Sequence, residues 1–225
     1  MIRYVFVHLD GVVLENILAP VIFSLIRKLG GSYSAGLENN ILSRSQDYAA
    51  AYLIQQLNLQ LSVEQVIQLY RDEREAYIVG NRIGQKKGLE HFLKRLTTNG
   101  YRVLAYGGAD RDYFLENTGN VRNYFADDGY VQTRDIRPGV KEIIQDIFHI
   151  DFEEALFIDE TIAVAEAARQ HNVPFIGISN GHTFSFQRRE MELMGVKYLV
   201  KSLSDIDLPL LNEIQQVTLS GSFWK

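Results

Sequence analysis

His8 and Asp10 stand two residues apart where an apolar run, YVFVHL, gives way to DGVV. The run predicts a buried strand, and residues at the carboxyl end of such a strand face the crevice where α/β proteins bind ligands. An imidazole and a carboxylate at that point can move protons, and imidazole is also a competent nucleophile. The pair is therefore the first candidate for chemistry in this chain.

Two further strand ends carry residues of interest. The run ALFID ends in Asp159, and Glu160 follows it, so two acidic groups stand side by side. The run RVLAY is followed by Gly107 and Gly108, whose bare backbone N–H groups can cradle an anion without a side chain. We expect these strand ends to meet His8 at one edge of a sheet.

The elements that position these residues alternate along the chain. Four runs rich in Val, Ile, Leu or Phe predict buried parallel strands, and the segments between them have apolar residues at helical spacing. This alternation predicts a doubly wound, Rossmann-like α/β sheet with helices on both faces. The strands are YVFVHL, RVLAY, ALFID and PFIGIS; the helices are GLEHFLKRLTTNG, PGVKEIIQDIFHI, which we expect Pro138 to open, and TIAVAEAARQHN.

Residues 15–85 interrupt the alternation, because they predict successive helices without a clear strand. We therefore predict an α/β core of residues 1–14 and 86–225, with a helical cap inserted at 15–85. Such a cap could cover the strand ends, exclude water and select a ligand. The sequence leaves open whether the helices do this or only pack against the core or form a dimer face.

Composition narrows the function further. The chain has 225 residues, 46% of them hydrophobic and none of them cysteine, so disulfides, thiolate zinc sites and a cysteine nucleophile are excluded. The net charge of -5 argues against nucleic acid as the main partner. No apolar run is long enough to cross a membrane and the first residues do not read as a secretory signal, so we expect a soluble, cytoplasmic protein.

Four motifs, in order, resemble those of the haloacid dehalogenase-like (HAD) hydrolases over nearly the whole chain. HLDGVVL resembles the family's opening motif, in which an aspartate, any residue, a second aspartate and a glycine follow an apolar strand. GLEHFLKRLTTNGYRVLAYGGAD resembles the helix and strand of the second motif. YFADDGYVQTRDIRPGVKEII and ALFIDETIAVAEAARQHNVPFIGIS resemble the third and fourth. The resemblance implies the predicted fold, with the helical insertion where one class of members has its cap.

The resemblance also implies a phosphatase of small phosphorylated metabolites that works through a covalent aspartyl intermediate with Mg²⁺. In those terms Asp10 would be the general acid and base, and Asp10, Asp159 and Glu160 would hold the metal. Small phosphorylated metabolites or other anions are thus the expected partners, and a protein partner or a homodimer is also open.

Three positions depart from the family pattern. His8 stands where the family has its nucleophilic aspartate, and an imidazole serves Mg²⁺ poorly. Gly107 stands where a hydroxyl side chain would hold the transferring group. Arg137 replaces a lysine, which keeps the charge and allows two parallel bonds to phosphate. We expect the backbone of Gly107 and Gly108, with Arg137, to form any phosphate site that remains.

Three interpretations of His8 follow. In the first, which the joint change of three positions favours, the protein is a weak or inactive relative that binds a ligand or has a regulatory role. In the second, the protein is an altered enzyme, in which His8 accepts a phosphoryl group or activates water with Asp10, or joins Asp159 and Glu160 around a transition metal. In the third, His8 is only a structural residue at a strand end.

Overall fold

The centre of the computed structural model, which describes residues 1–81 and 83–224, is a six-stranded parallel sheet in the order β3-β2-β1-β4-β5-β6. Each of the four predicted strands is present, and the doubly wound α/β fold is confirmed. The strands are β1 (Tyr4–His8), β2 (Arg102–Gly107), β3 (Tyr130–Gln132), β4 (Ala155–Asp159), β5 (Phe175–Ile178) and β6 (Leu199–Val200).

The strand order explains why the site lies where it does. β1 is central and pairs with β2 on one side and with β4 on the other. The chain therefore winds outward in opposite directions from β1 and β4, which opens a crevice at the carboxyl ends of these strands. Burial on both faces also explains the continuous apolar runs, since every residue of β4 and of β5 is buried.

Helices cover the sheet and fill the segment between β1 and the next core helix. Ser45 and Ser62 cap α3 (Gln46–Leu57) and α4 (Val63–Gly80) by accepting hydrogen bonds from backbone N–H groups in the first turn. Within the described residues, none of the helices has the length and apolar character that crossing a membrane requires. The helices are α1 (Leu18–Lys28), α2 (Ala35–Ile41), α3 (Gln46–Leu57), α4 (Val63–Gly80), α5 (Leu89–Thr98), α6 (Arg111–Thr118), α7 (Ile162–Gln170), α8 (Gln187–Met194) and α9 (Leu208–Leu219).

Buried apolar side chains form two separate clusters. The larger one surrounds the sheet and includes Phe6, Phe157 and Phe175, all fully buried. The smaller one lies among α1 to α4 and consists of Ile22, Leu25, Ile26, Leu37, Ile41, Leu42, Ala50, Leu53 and Val66. Helices α1 to α4 therefore bury an apolar core of their own.

Polar contacts fasten α2 and the loop after it to the sheet side of the molecule. The buried carboxylate of Glu38 accepts hydrogen bonds from the Ser185 hydroxyl, at 2.7 Å, and from the Phe186 backbone N–H, at 2.6 Å. Arg44 forms an ion pair with Glu166 on α7 at 3.1 Å. The helices thus lie closed over the carboxyl edge of the sheet.

The expectation that Pro138 opens a helix is wrong. Gly139, the next residue, has a φ of +87°, which a right-handed helix cannot contain. The helical segment that follows runs from Glu142 to Ile147. Pro138 instead ends the loop that brings Arg137 to the strand ends.

Candidate functional site

Three strand ends converge beneath the helices. His8 closes β1 and lies opposite Tyr106 of β2, while Val7 lies opposite Ile158 of β4, so Asp159 comes next to His8. His8 is 1% exposed, Asp159 is fully buried and Glu160 is 1% exposed. The predicted meeting of these residues is present, and their charges lie in a part of the protein that water does not reach.

One nitrogen of the His8 ring faces both carboxylates. Its Nδ1 is 3.2 Å from each carboxylate oxygen of Glu160 and 3.7 Å from Oδ2 of Asp159. Burial by itself lowers the pKa of His8, but the charges of Asp159 and Glu160 and the hydrogen bond to Glu160 together raise it to about 9. At neutral pH the ring is an imidazolium, which pairs with the acidic residues as their counterion.

Both carboxylate oxygens of Asp159 accept hydrogen bonds from other residues of the chain. Oδ1 accepts hydrogen bonds from the Thr161 backbone N–H at 2.7 Å and from the Thr161 hydroxyl at 2.8 Å. Oδ2 accepts a hydrogen bond from the hydroxyl of Tyr106, which is fully buried. Both oxygens are therefore satisfied without a ligand.

Glu160 is fixed by two neighbours that carry no charge. The side-chain amide of Asn16 donates to its Oε1 at 3.1 Å, while Asn16 Oδ1 accepts from the backbone N–H of Ala19 in the first turn of α1. Gly11 makes room for this carboxylate, because a Cβ at that position would overlap it. Gly11 also has a φ of +98°, which favours glycine.

The contacts of His8, Asp159 and Glu160 determine whether these residues could bind a magnesium ion. Ligand atoms of His8, Asp159 and Glu160 lie within 4.8 Å of one another, so the three are close enough to bind one ion. However, Nδ1 of the imidazolium already lies within 3.7 Å of both carboxylates, and an imidazole nitrogen suits transition metals rather than Mg²⁺. A magnesium ion would have to displace a proton and at least one internal hydrogen bond. The arrangement does not fit magnesium.

Asp10 lies apart from this group and lines a cavity between the strand ends and the helices. Its Oδ1 is buried and has no hydrogen-bond partner in residues 1–81 and 83–224. Burial raises the pKa of Asp10, and the charges of His8, Arg74 and Arg137 oppose the rise. The unpartnered Oδ1 of Asp10 is therefore a hydrogen-bonding group that faces the cavity without a protein partner among these residues.

The two glycines and Arg137 take distinct places. A Cβ at Gly107 would lie 3.7 Å from Nε2 of His8, so this glycine adjoins the free edge of the imidazole ring. A Cβ at Gly108 would overlap the guanidinium of Arg137, which therefore packs directly on the backbone at the end of β2. Asp10, Gly108 and Arg137 line the cavity, as do Arg71 and Arg74 of α4.

Several residues of the site were not expected from the sequence. Tyr106 belongs to an apolar run and looked like core, while Asn16, Ser43 and Thr161 reach the site only through the fold. Ser43, in the loop after α2, is buried, and its hydroxyl lies 3.1 Å from the Thr161 hydroxyl. The one local signal was Thr161, which follows the acidic pair directly before a helix.

Solved structures with a similar fold are known, although sequence comparisons give no match. Neither protein-family models nor curated protein sequences give a match. Among solved structures, the chain is similar to a conserved haloacid dehalogenase-like protein of unknown function from Agrobacterium tumefaciens, with a TM-score of 0.68 and 14% identity over 96% of this chain and 100% of that one.

Two similar structures hold phosphate. CbbY from Rhodobacter sphaeroides, solved in complex with phosphate, has a TM-score of 0.67 and 14% identity, and the match covers 94% of this chain and 100% of that one. A HAD family hydrolase from Deinococcus radiodurans, with bound phosphate and sodium, has a TM-score of 0.63 and 16% identity over 95% and 96% of the two chains. The chain has the HAD-like fold, which confirms the resemblance at the level of the fold.

Proposed function

We propose that this protein, built on the HAD-like hydrolase fold, binds a small organic anion at its strand ends and does not hydrolyse it. The observation that carries the proposal is the position of His8. Its Nδ1 contacts both oxygens of Glu160 at 3.2 Å, in the place where the family resemblance requires a carboxylate nucleophile. An imidazolium whose Nδ1–H is engaged in this way has no lone pair with which to attack.

The cavity supports anion binding. Arg71, Arg74 and Arg137 line it, and none of the three pairs with a carboxylate within 4 Å in the part of the chain that the structure describes. Arginine grips phosphate or carboxylate oxygens with parallel hydrogen bonds. In the proposal, Arg74 and Arg137 hold the anion, and Asp10, in its protonated form, donates a hydrogen bond to it through Oδ1, which has no partner among the described residues.

The helices have a part in this function. We propose that residues 15–85 form a cap over a core of 1–14 and 86–225, as the sequence predicts. The separate apolar cluster of α1 to α4 and the Glu38 contacts with Ser185 and Phe186 support this division. On this view the cap covers the bound ligand.

One observation favours a second candidate, an enzyme that uses His8. Nε2 of His8 is buried beside Gly107 and has no hydrogen-bond partner among residues 1–81 and 83–224. If the ring lost its proton at Nε2, that nitrogen could accept a phosphoryl group. The raised pKa of His8 opposes this step at neutral pH, because the pair of carboxylates stabilises the protonated ring.

One experiment separates the two candidates. Hydrolysis of 4-nitrophenyl phosphate is measured with and without magnesium for the natural protein, His8→Asn and Asp10→Asn, beside binding of methylphosphonate by calorimetry. We expect no turnover above the uncatalysed rate, and binding that Arg137→Gln weakens while Arg27→Gln, an exposed cap arginine outside the cavity, leaves it unchanged. Turnover that both His8→Asn and Asp10→Asn abolish would overturn the binding function in favour of the enzyme.

A further inference from the structure

The cavity between the sheet and the helices is larger than an inorganic anion needs. Its volume is about 380 Å³. At roughly 30 Å³ for each non-hydrogen atom, the share of a water molecule in the liquid, it has room for about a dozen such atoms. A phosphate-like head would use about five of them, so the remaining space calls for an organic group.

Two arginines of the cavity wall, Arg74 and Arg137, lie on the side of Asp10 and the strand ends, since the charges of both act on that carboxyl. Arg137 packs on the backbone of Gly108, and the guanidinium of Arg74 lies over the ring of Tyr113, 4.9 Å from its centre. By contrast, two other arginines of the wall are already paired: Arg44 with Glu166, and Arg134 with Asp110 at 2.8 Å. Arg74 and Arg137 are therefore the half-buried cations that remain for a ligand.

The other end of the cavity is apolar. It reaches into the cluster that α1 to α4 enclose, where Ile22, Leu25, Leu53 and Val66 form its wall. Each of these four side chains is at most 4% exposed. The wall offers such a ligand nothing but hydrocarbon contact, which favours an alkyl or aryl group over a sugar with several hydroxyls.

We infer that the cavity takes an amphiphilic anion, with an oxyacid head of the phosphate type held by Arg74 and Arg137 and an alkyl or aryl group among helices α1 to α4. The inference rests on the proposed function and adds the chemical class of its ligand. In this inference the apolar end of the cavity selects among ligands, because the arginines alone would bind any small anion.

Calorimetry with methyl-, butyl- and hexylphosphonate tests this class. The carbon–phosphorus bond of these probes is not a phosphate ester, so binding is measured whether or not the protein has phosphatase activity. We expect Kd to fall about fourfold for each added methylene group, the value for full burial of a CH₂. Equal Kd values across the series would overturn the inference.

Variants on one helix show whether the apolar wall is responsible. Ile67 lines the cavity from α4, while Leu69 lies on the same helix, is 38% exposed and lies outside the lining. Ile67→Gln should weaken hexylphosphonate at least tenfold and leave methylphosphonate unchanged, and Leu69→Gln should change neither. A second variant, Ala49→Leu, fills the apolar end from α3 and should also weaken only the longer probes. If Leu69→Gln had the same effect as Ile67→Gln, the binding site would lie elsewhere.

Substitution of Arg74 tests the charged end of the cavity. Arg74→Gln should weaken all three phosphonates by a similar factor, because the head is common to them, whereas Arg27→Gln on the exposed face of α1 should have no effect. Binding of methylphosphonate without any gain from chain length would leave the proposed function intact and overturn the ligand class. Turnover of 4-nitrophenyl phosphate would overturn the proposed function, and the phosphonate series would still decide the class.

Discussion

Replacing His8 with aspartate should turn a magnesium-insensitive site into a magnesium-dependent one. The substitution removes the cation that lies 3.2 Å from Glu160 and 3.7 Å from Asp159 and adds a third carboxylate. Removing one partner of a buried ion pair costs roughly 3–5 kcal/mol. For a chain of this size each kcal/mol corresponds to about 2–4 °C, so the Tm without metal should fall by roughly 6–20 °C.

Magnesium should restore part of this loss. Three carboxylates at one sheet edge are the oxygen ligands that Mg²⁺ prefers. An ion present at 100 times its Kd contributes about 2.7 kcal/mol, which corresponds to a rise in Tm of roughly 5–11 °C. Scanning calorimetry of the natural protein, His8→Asp and His8→Asn, each with and without magnesium chloride, measures the effect. His8→Asn is the control, because it loses the cation without adding a carboxylate and should not recover.

Either of two results would refute this reasoning. A natural protein whose Tm rises with magnesium as much as that of the variant would mean that the metal displaces the imidazolium, and the misfit argued from Asp159 and Glu160 would be wrong. A His8→Asp protein that ignores magnesium would mean that the internal donors Tyr106, Asn16 and Thr161 occupy the carboxylates even when the cation is gone.

Three further predictions concern stability. Because the pKa of His8 is raised from 6.5 to about 9, protonated His8 contributes roughly 3 kcal/mol to the free energy of unfolding; this contribution is full below pH 6.5 and is lost as pH rises through about 9. The difference in the free energy of unfolding by urea between the natural protein and His8→Asn should therefore shrink over that range. A constant difference would contradict the raised pKa. Gly11→Ala should lower the free energy of unfolding by more than the roughly 1–3 kcal/mol of backbone strain alone, because its methyl group would displace the Glu160 carboxylate. Gly30→Ala is the control, because Gly30 has a φ of +79° and open space around it, so this substitution should cost only the strain. Equal losses in urea unfolding would argue against a displaced carboxylate. Glu38→Gln should cost roughly 1–3 kcal/mol, because the glutamine amide has only one acceptor oxygen for the two donors, the Ser185 hydroxyl and the Phe186 backbone N–H, that Glu38 satisfies. It should also speed hydrogen exchange in residues 182–186, and unchanged exchange there would show that Glu38 does not fasten α2.

The sheet could be predicted well because burial on both faces leaves a plain trace in the sequence. ALFID coincides with β4 (Ala155–Asp159), and RVLAY is one residue shorter than β2 (Arg102–Gly107). β3 and β6 were missed, since they have only three and two residues and lie at the edges of the sheet. Strands so short carry no periodicity, and only their pairing with β2 and β5 defines them.

The site was predictable in its members but not in its electrostatics. His8, Asp159 and Glu160 follow apolar runs, so their convergence follows from the parallel sheet. That Nδ1 of His8 contacts Glu160, and that Tyr106 donates to Asp159, depends on strand register and on side-chain rotamers. The separation of Asp10 from the acidic pair likewise follows from the extended backbone at Asp10 (φ -83°, ψ 119°) and the turn at Gly11, which the sequence does not specify.

The departures from the family pattern become related once charge and space are counted together. His8 supplies beside the carboxylates the positive charge that a metal would bring, so a side chain of the protein itself compensates the acidic pair. Space at Gly107 is also limited, because a Cβ there would lie 3.3 Å from Leu9 Cβ and 3.3 Å from the Tyr130 hydroxyl, whereas Nε2 of His8, at 3.7 Å, would be in ordinary contact. With neither metal nor hydroxyl to hold an anion, the proposed function leaves that work to cavity arginines such as Arg137. The imidazolium thus compensates the acidic pair, while Leu9 and Tyr130 limit the side chain at Gly107, and the proposed function makes Arg137 the main anchor of the ligand.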